Sequence, residues 1–272
     1  MRTFLKTISL HPRLVAGIDI LLGLGFILWL KNLDRILFFI EVRPWVGFWL
    51  WFLTRLGLWA VMIKSVYFPP IFSRWRHWLT LFLFWLGVSS LLIFVDWPVA
   101  WYVIAAFSVA APALSFAMIE REASGLPFLQ KPWRRLRLIL AVAGVAGILS
   151  GLFAAEMFQI IPSHLWWTPI LVSLATGLIA EWWWSEYEVP PEKTRRAFLV
   201  FVIIFTELIF IVRSWPLGYF ASGFLSTWIW FVGWLMLRFY LSPEGIKWNR
   251  QAPFLAINFG ILVVFLYVVR WH

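Results

Sequence analysis

The sequence predicts an all-α polytopic membrane protein, a bundle of about nine transmembrane helices with no soluble domain. Three observations support this prediction. Hydrophobic residues make up 62% of the 272 residues, against about 45–50% in an average soluble domain. Charged residues make up only 13% of the chain. Apolar runs of about 20 residues recur between short loops, and a run of that length crosses a bilayer as a helix. Residues 1–272 are therefore treated as a single integral membrane domain.

Nine segments reach the length that a spanning helix needs. They are residues 14–30, 45–63, 77–95, 98–119, 137–160, 166–184, 197–214, 217–241 and 254–271. The first of them is short and contains Asp19. Residues 36–44, "ILFFIEVRP", are too few to span, so we expect them to lie in the outer interface or to enter and leave on the same side.

The distribution of basic residues predicts the orientation of the bundle. With the N-terminus in the cytoplasm, the cytoplasmic segments hold 17 of the Lys and Arg residues and the outer segments hold 5. An excess of positive charge on the cytoplasmic side is how membrane topology is encoded. The sequence thus predicts a cytoplasmic N-terminus, an outer C-terminus and a multi-pass protein of the cell (cytoplasmic) membrane.

Composition and motifs exclude several classes of function. The chain has no cysteine, which removes disulfides and thiolate metal sites. Its net charge of +10 is spread over loops and forms no basic domain, so we expect no binding to nucleic acid. HExxH, GxSxG and P-loop motifs are absent, and the four His residues stand at loops or helix ends. We therefore expect no metal, no cofactor and no catalytic residues.

Arg55 is the most informative residue, because it lies one residue past the midpoint of the apolar segment 45–63. A charge at that depth costs about 3 kcal/mol on insertion scales, so it needs a partner or a wet cavity. Asp19 and Glu207 lie at similar depths in their own segments, and Asn258 adds a polar group near the depth of Asp19. We predict that Asp19, Glu207 or both neutralise Arg55, and that these four residues form a substrate or coupling site.

Two surface features are candidates for lipid contact. One is the basic run of Lys131, Arg134, Arg135 and Arg137, which can attract anionic lipid or simply fix topology. The other is the run of Trp182, Trp183 and Trp184, which fits an interfacial aromatic belt or a denser contact with lipid or a partner. The sequence leaves a membrane-protein partner and homo-oligomerisation open.

Small residues recur every four positions in segment 137–160. Ala143, Gly147, Gly151 and Ala155 form a smooth stripe, and small residues allow two helices to approach closely in lipid. We expect this stripe to make an internal helix contact.

Three function classes fit these observations, of which the first is favoured narrowly. The chain is a small-solute or lipid transporter that uses its intramembrane charges, or a non-catalytic membrane-complex subunit or assembly factor held together by them. A third reading is an enzyme for lipid-linked substrates. That enzyme would use the first outer loop, where Asp34, Arg35, Glu41 and Arg43 crowd together.

Overall fold

Eight α-helices make up the fold of the described chain. The computed structural model describes residues 12–32, 53–57, 75–118, 127–162, 165–185, 189–242 and 245–269. Residues 53–57 form a helical turn, and no strand occurs in these ranges. The helices are α1 (Pro12–Lys31), α2 (Trp75–Phe94), α3 (Pro98–Ala117), α4 (Pro127–Met157), α5 (Trp167–Ser185), α6 (Pro191–Arg213), α7 (Tyr219–Leu241) and α8 (Trp248–Val268).

The helical class is confirmed, and each of these helices overlaps one predicted segment. Five helices are long and apolar enough to cross a membrane, at Arg13–Lys31, Pro98–Ala117, Arg135–Met157, Tyr219–Leu241 and Gln251–Val268. Segment 45–63 lies outside the described residues except for 53–57. The segment 36–44 lies wholly outside them.

The helices run past the apolar segments into charged sequence. The helix α4 begins ten residues before the predicted span, and α6 begins six residues before its own. Hydropathy marks the part of a helix that prefers lipid, whereas backbone hydrogen bonding continues until a stop signal appears. At the other end of α4 that signal is a Schellman turn, in which Gln159 takes a φ of 55°. There the amide of Ile160 donates to the carbonyl of Ala155 and the amide of Gln159 to that of Glu156.

The chain divides into two compact units. The first comprises residues 1–82 and 95–140, and the second comprises residues 83–94 and 141–272. In the first unit, α1 packs along α3. The face of α1 that is buried carries Val15, Ala16, Asp19, Gly23 and Phe26, which recur with the period of a helix. At one end of this pair, the Lys31 Nζ donates to the hydroxyl of Tyr102 at 3.2 Å.

The second unit is built on very close helix contacts around α4. A Cβ placed on Gly144 would lie 2.8 Å from the backbone of Phe84, and one on Gly151 would lie 2.7 Å from the Cβ of Ser90. Gly147 lies against the backbone of Gly87. The prediction of an internal contact is thus confirmed at Gly147 and Gly151. The partner is α2.

A neighbouring face of α4 meets α7, and α5, α6 and α7 pack in sequence order. A Cβ on Gly223 of α7 would lie 2.6 Å from the Cα of Ser150. The helix α5 packs against α6, and α6 packs against α7. Carbon atoms of neighbouring helices therefore meet closely where the sequence supplies small residues, which is the packing mode favoured in lipid.

We expect Gly147→Ala to lower the free energy of unfolding by about 1–3 kcal/mol, the range for overpacking a well-packed interior. The added methyl would overlap the backbone of Gly87, which cannot give way as a side chain can. Gly17→Ala is the matched control, because no atom lies within 4 Å of a Cβ there. Gly17→Ala should instead stabilise by about 0.5–1 kcal/mol. Unfolding of both purified variants in mixed micelles measures the difference, and equal stabilities would contradict the packing.

Candidate functional site

The first unit encloses an ion pair between Arg55 and Asp19. The Arg55 Nη2 lies 3.4 Å from Asp19 Oδ1 and donates a hydrogen bond to it. The two side chains are 1% and 0% exposed, so neither lies open to the surroundings of the unit. Within a low-dielectric interior each partner offsets part of the cost of burying the charge of the other. The predicted partnership of Arg55 with Asp19 is thus formed.

Gly23 on α1 leaves room for the guanidinium of Arg55. Gly23 lies one turn after Asp19 on the same face of α1. A Cβ at Gly23 would lie 3.1 Å from the Arg55 Nη2 and 2.9 Å from the Cγ2 of Val109 on α3. The absence of a side chain at Gly23 therefore lets α1, α3 and the guanidinium approach one another.

The other two residues of the predicted site belong to the second unit. Glu207 lies on α6, and its side chain is exposed. Asn258 lies on α8, is half-buried and donates from Nδ2 to the Phe254 carbonyl of its own helix at 2.8 Å. Asp19 and Arg55 therefore meet in one unit, whereas Glu207 and Asn258 stand on two different helices of the other.

A second ion pair, which the sequence analysis missed, joins the ends of three helices. The Arg213 Nε, in the last turn of α6, lies 2.9 Å from the Glu156 Oε2 near the end of α4. The hydroxyl of Thr168, in the first turn of α5, donates to Glu156 Oε1 at 3.5 Å and to the Leu165 carbonyl at 2.9 Å. The arrangement shows that α4 and α6 end on the same side of the unit where α5 begins. The signal available in the sequence was that the two opposite charges lie near the predicted outer ends of segments 137–160 and 197–214, which does not show that those helices are neighbours.

The tryptophan run at the end of α5 lies inside the second unit. Trp182, Trp183 and Trp184 are 1%, 4% and 0% exposed. The Trp184 Nε1 donates to the Trp234 carbonyl of α7 at 3.2 Å, and its ring meets the edge of Phe201 on α6 at 5.7 Å. All three side chains therefore lie away from the surface of the unit, and Trp184 joins α5 to α6 and α7. By contrast, Trp97, Trp166 and Trp248, at or just outside helix ends, are more than half exposed, as an interfacial belt requires.

The basic run divides between exposed and buried positions. Arg135 is exposed and Arg137 is buried on α4. The side chains of Lys131 and Arg134 lie outside the described part of the chain. Asp34, Arg35, Glu41 and Arg43, the candidates for an outer-loop enzyme site, also lie outside it. Among the side chains that the structure does describe, no three His, Asp or Glu residues group together as a metal site would need.

Comparison with known proteins leaves the chain without an assigned relative. No protein-family model matches it, and neither the curated proteins nor the solved structures contain a match.

We expect Asp19→Asn to lower the free energy of unfolding by about 3 kcal/mol or more, because it leaves the buried Arg55 charge without its counter-charge. Asp96→Asn is the matched control, since Asp96 is an exposed acid in the same unit. The double change Asp19→Asn/Arg55→Gln should regain much of the loss, because neither side chain of the pair is then charged. Thermal melting of the purified proteins measures all three, and a loss in Asp96→Asn equal to that in Asp19→Asn would contradict the assignment.

Glu156→Gln should cost about 1.5–3 kcal/mol, the value of a hydrogen bond to a charged group. Exchanging the pair, with Glu156→Arg and Arg213→Glu together, should restore part of the stability because opposite charges still face each other. The cost should be smaller than at Asp19, since the Arg213 side chain is 15% exposed and can reach water at the helix end. Failure of the exchanged pair to improve on either single reversal would show that the two residues act independently.

Proposed function

We propose that the chain is a non-catalytic subunit or assembly factor of a membrane-protein complex in the cell membrane. In this proposal it spans the membrane about nine times with a cytoplasmic N-terminus. The observation that carries the proposal is the exposed carboxyl group of Glu207, on the face of α6 that its neighbours leave uncovered.

The uncovered face of α6 is apolar on both sides of Glu207. Ile203, Ile204, Phe210 and Ile211 stand three and four residues before and after Glu207, and all four are exposed, Ile203 at 60% and Ile204 at 59%. Residues at these spacings share one side of a helix. Glu207 therefore lies in the middle of an apolar stripe that faces either lipid or another protein.

Lipid alone is a poor environment for this carboxyl group. A charged side chain near the centre of a bilayer costs about 3 kcal/mol on insertion scales. The hydroxyl of Thr206, the residue before it, already donates to the Val202 carbonyl of its own helix at 2.8 Å. A transmembrane helix of a partner that carries Lys or Arg at the same depth would offset this cost and cover the stripe.

A second copy of this chain does not supply that base within the described residues. Arg55 is the base nearest the middle of an apolar segment, and it is buried beside Asp19. Two Glu207 residues facing each other across a twofold axis would repel. Charge complementarity therefore favours a different protein as the partner.

The Arg55–Asp19 pair has a structural role in this proposal. Transport, the other proposal, needs solute or water to reach these groups from one side of the membrane. Their burial at 1% and 0% exposure, with Gly23 packed against the guanidinium, favours instead a pair that holds α1 and the helical turn 53–57 in register.

The helix α8 offers a further uncovered flank. Only 6% of its apolar segment is buried, and Tyr267 is 89% exposed. Phe265 on α8 places its ring 5.1 Å from that of Phe224 on α7. A peripheral helix of this kind is common where a membrane subunit meets lipid or a neighbour.

The test is site-specific photo-cross-linking in cell membranes, with the reactive residue at position 204 or 211, beside Glu207. The matched control site is Leu171, which is 54% exposed on α5. We expect one cross-linked protein from positions 204 and 211 that is lost in Glu207→Leu, and peptide sequencing should find Lys or Arg within an apolar segment of it. Cross-links from position 171 should not depend on Glu207.

Two results would overturn the proposal. Cross-linking of position 204 only to a second copy would make the face a homodimer contact. Cross-linking that is unchanged in Glu207→Leu would show that the carboxyl group does not select the partner.

A further inference from the structure

We infer that a pocket between the end of α7 and the start of α8 binds an anionic phospholipid whose headgroup carries hydroxyl groups. The pocket has a volume of about 380 Å³. It lies where α7 ends and α8 begins, and both helices are among those long enough to span a membrane. A site at that level meets the headgroup region of the bilayer. The inference does not depend on the proposed partner of Glu207.

One end of the pocket is polar and matches a phosphate group and its substituent. Ser242, Lys247 and Gln251 line it. The ammonium of Lys247 is a compact cation suited to phosphate. Gln251 is 9% exposed, and its Oε1 accepts no hydrogen bond from the described residues. A buried acceptor of this kind calls for a donor, which a headgroup hydroxyl supplies.

The rest of the lining is apolar and matches acyl chains. Leu235 and Phe239 line it from α7, and Phe254 lines it from α8. Leu235 and Phe239 come before Ser242 on α7, and Phe254 comes after Gln251 on α8. The apolar side chains are therefore further than the polar ones from the helix ends and closer to the interior of the predicted bilayer. The pocket is therefore amphipathic in the same sense as a phospholipid, with the charged part at the helix ends and the apolar part along the helices.

The local charge also favours an anion. The stretch 238–251 carries Arg238, Lys247 and Arg250 against a single acid, Glu244. Basic residues at the end of a transmembrane helix attract anionic lipid at about 1 kcal/mol each. Inorganic phosphate and glycerol 3-phosphate share the headgroup chemistry without the acyl chains, so they distinguish a lipid site from a site for a soluble anion.

The experiment measures lipid retention by the purified full-length protein. Native mass spectrometry counts dioleoyl-phosphatidylglycerol and dioleoyl-phosphatidylcholine bound in titrations, with inorganic phosphate and glycerol 3-phosphate as soluble competitors. We expect phosphatidylglycerol to bind more tightly than phosphatidylcholine and neither soluble anion to displace it at matched concentration. Lys247→Gln should weaken binding of phosphatidylglycerol about fivefold, the effect of one basic residue near the surface.

Two further variants locate the effect. Gln251→Glu keeps the shape of the side chain and puts a negative charge beside the phosphate, so it should weaken phosphatidylglycerol binding at least as much as Lys247→Gln does. Lys193→Gln is the matched control, because it removes the same charge from an exposed position in the first turn of α6. Its affinity for phosphatidylglycerol should equal that of the unchanged protein.

The inference is overturned by any of three results. Equal affinity for the two lipids would indicate non-selective annular lipid. An equal loss in Lys193→Gln and Lys247→Gln would indicate a general effect of surface charge. Displacement of the lipid by either soluble anion would indicate an anion site that does not use the acyl chains. Because Lys247 is exposed, Lys247→Gln tests the site even if the buried Gln251→Glu variant fails to fold.

Discussion

The cost of holding charge away from water organises the described part of this protein. Hydrocarbon offers no hydrogen bonds, so an ionised group inside the bundle stays charged only when the protein itself supplies the opposite charge. Arg55 and Asp19 meet this requirement deep in the first unit. Arg213 and Glu156 meet it at the ends of α6 and α4, where partial exposure makes the requirement milder. Glu207 is exposed on α6. In our proposal the opposite charge for Glu207 therefore comes from a partner protein.

The close contacts of α4 show how helices can associate when the surrounding lipid is as apolar as their side chains. The hydrophobic effect does not draw helices together inside a bilayer, so van der Waals contact must do so. Gly144 and Gly147 let the backbones of α2 and α4 touch, Gly151 makes room for the side chain of Ser90, and the Gly223–Ser150 contact brings α7 equally close to α4. Larger side chains at these positions would separate the helices and remove the contacts that hold the second unit together.

Helix positions followed from the sequence more readily than side-chain partners did. Long apolar runs predict helices reliably because only a helix satisfies its own backbone in lipid, and the eight described helices overlap the predicted segments. The first residues of α4 and α6 were predicted too late in the chain, because charged turns continue a helix without adding hydropathy. Depth narrowed the partners of Arg55 to Asp19 and Glu207, and the structure shows the contact with Asp19. The Glu156–Arg213 contact depends on which helices are neighbours, and residue depth does not reveal this. The run Trp182–Trp184 resembled an interfacial belt by composition, whereas its burial depends on the packing of α5 against α6 and on the contact of Trp184 with α7.

The position of Gly23 has a consequence for how this sequence can change over generations. Its missing side chain is what allows the Arg55 guanidinium and Val109 to occupy the same narrow space beside α1. A heritable change at any one of these positions is therefore tolerated only against particular residues at the other two. Homologues with alanine at position 23 are expected to have a residue smaller than valine at position 109, or to lack both Arg55 and Asp19. The charge pair is in this sense inherited as a unit of at least four positions, two of which carry no charge.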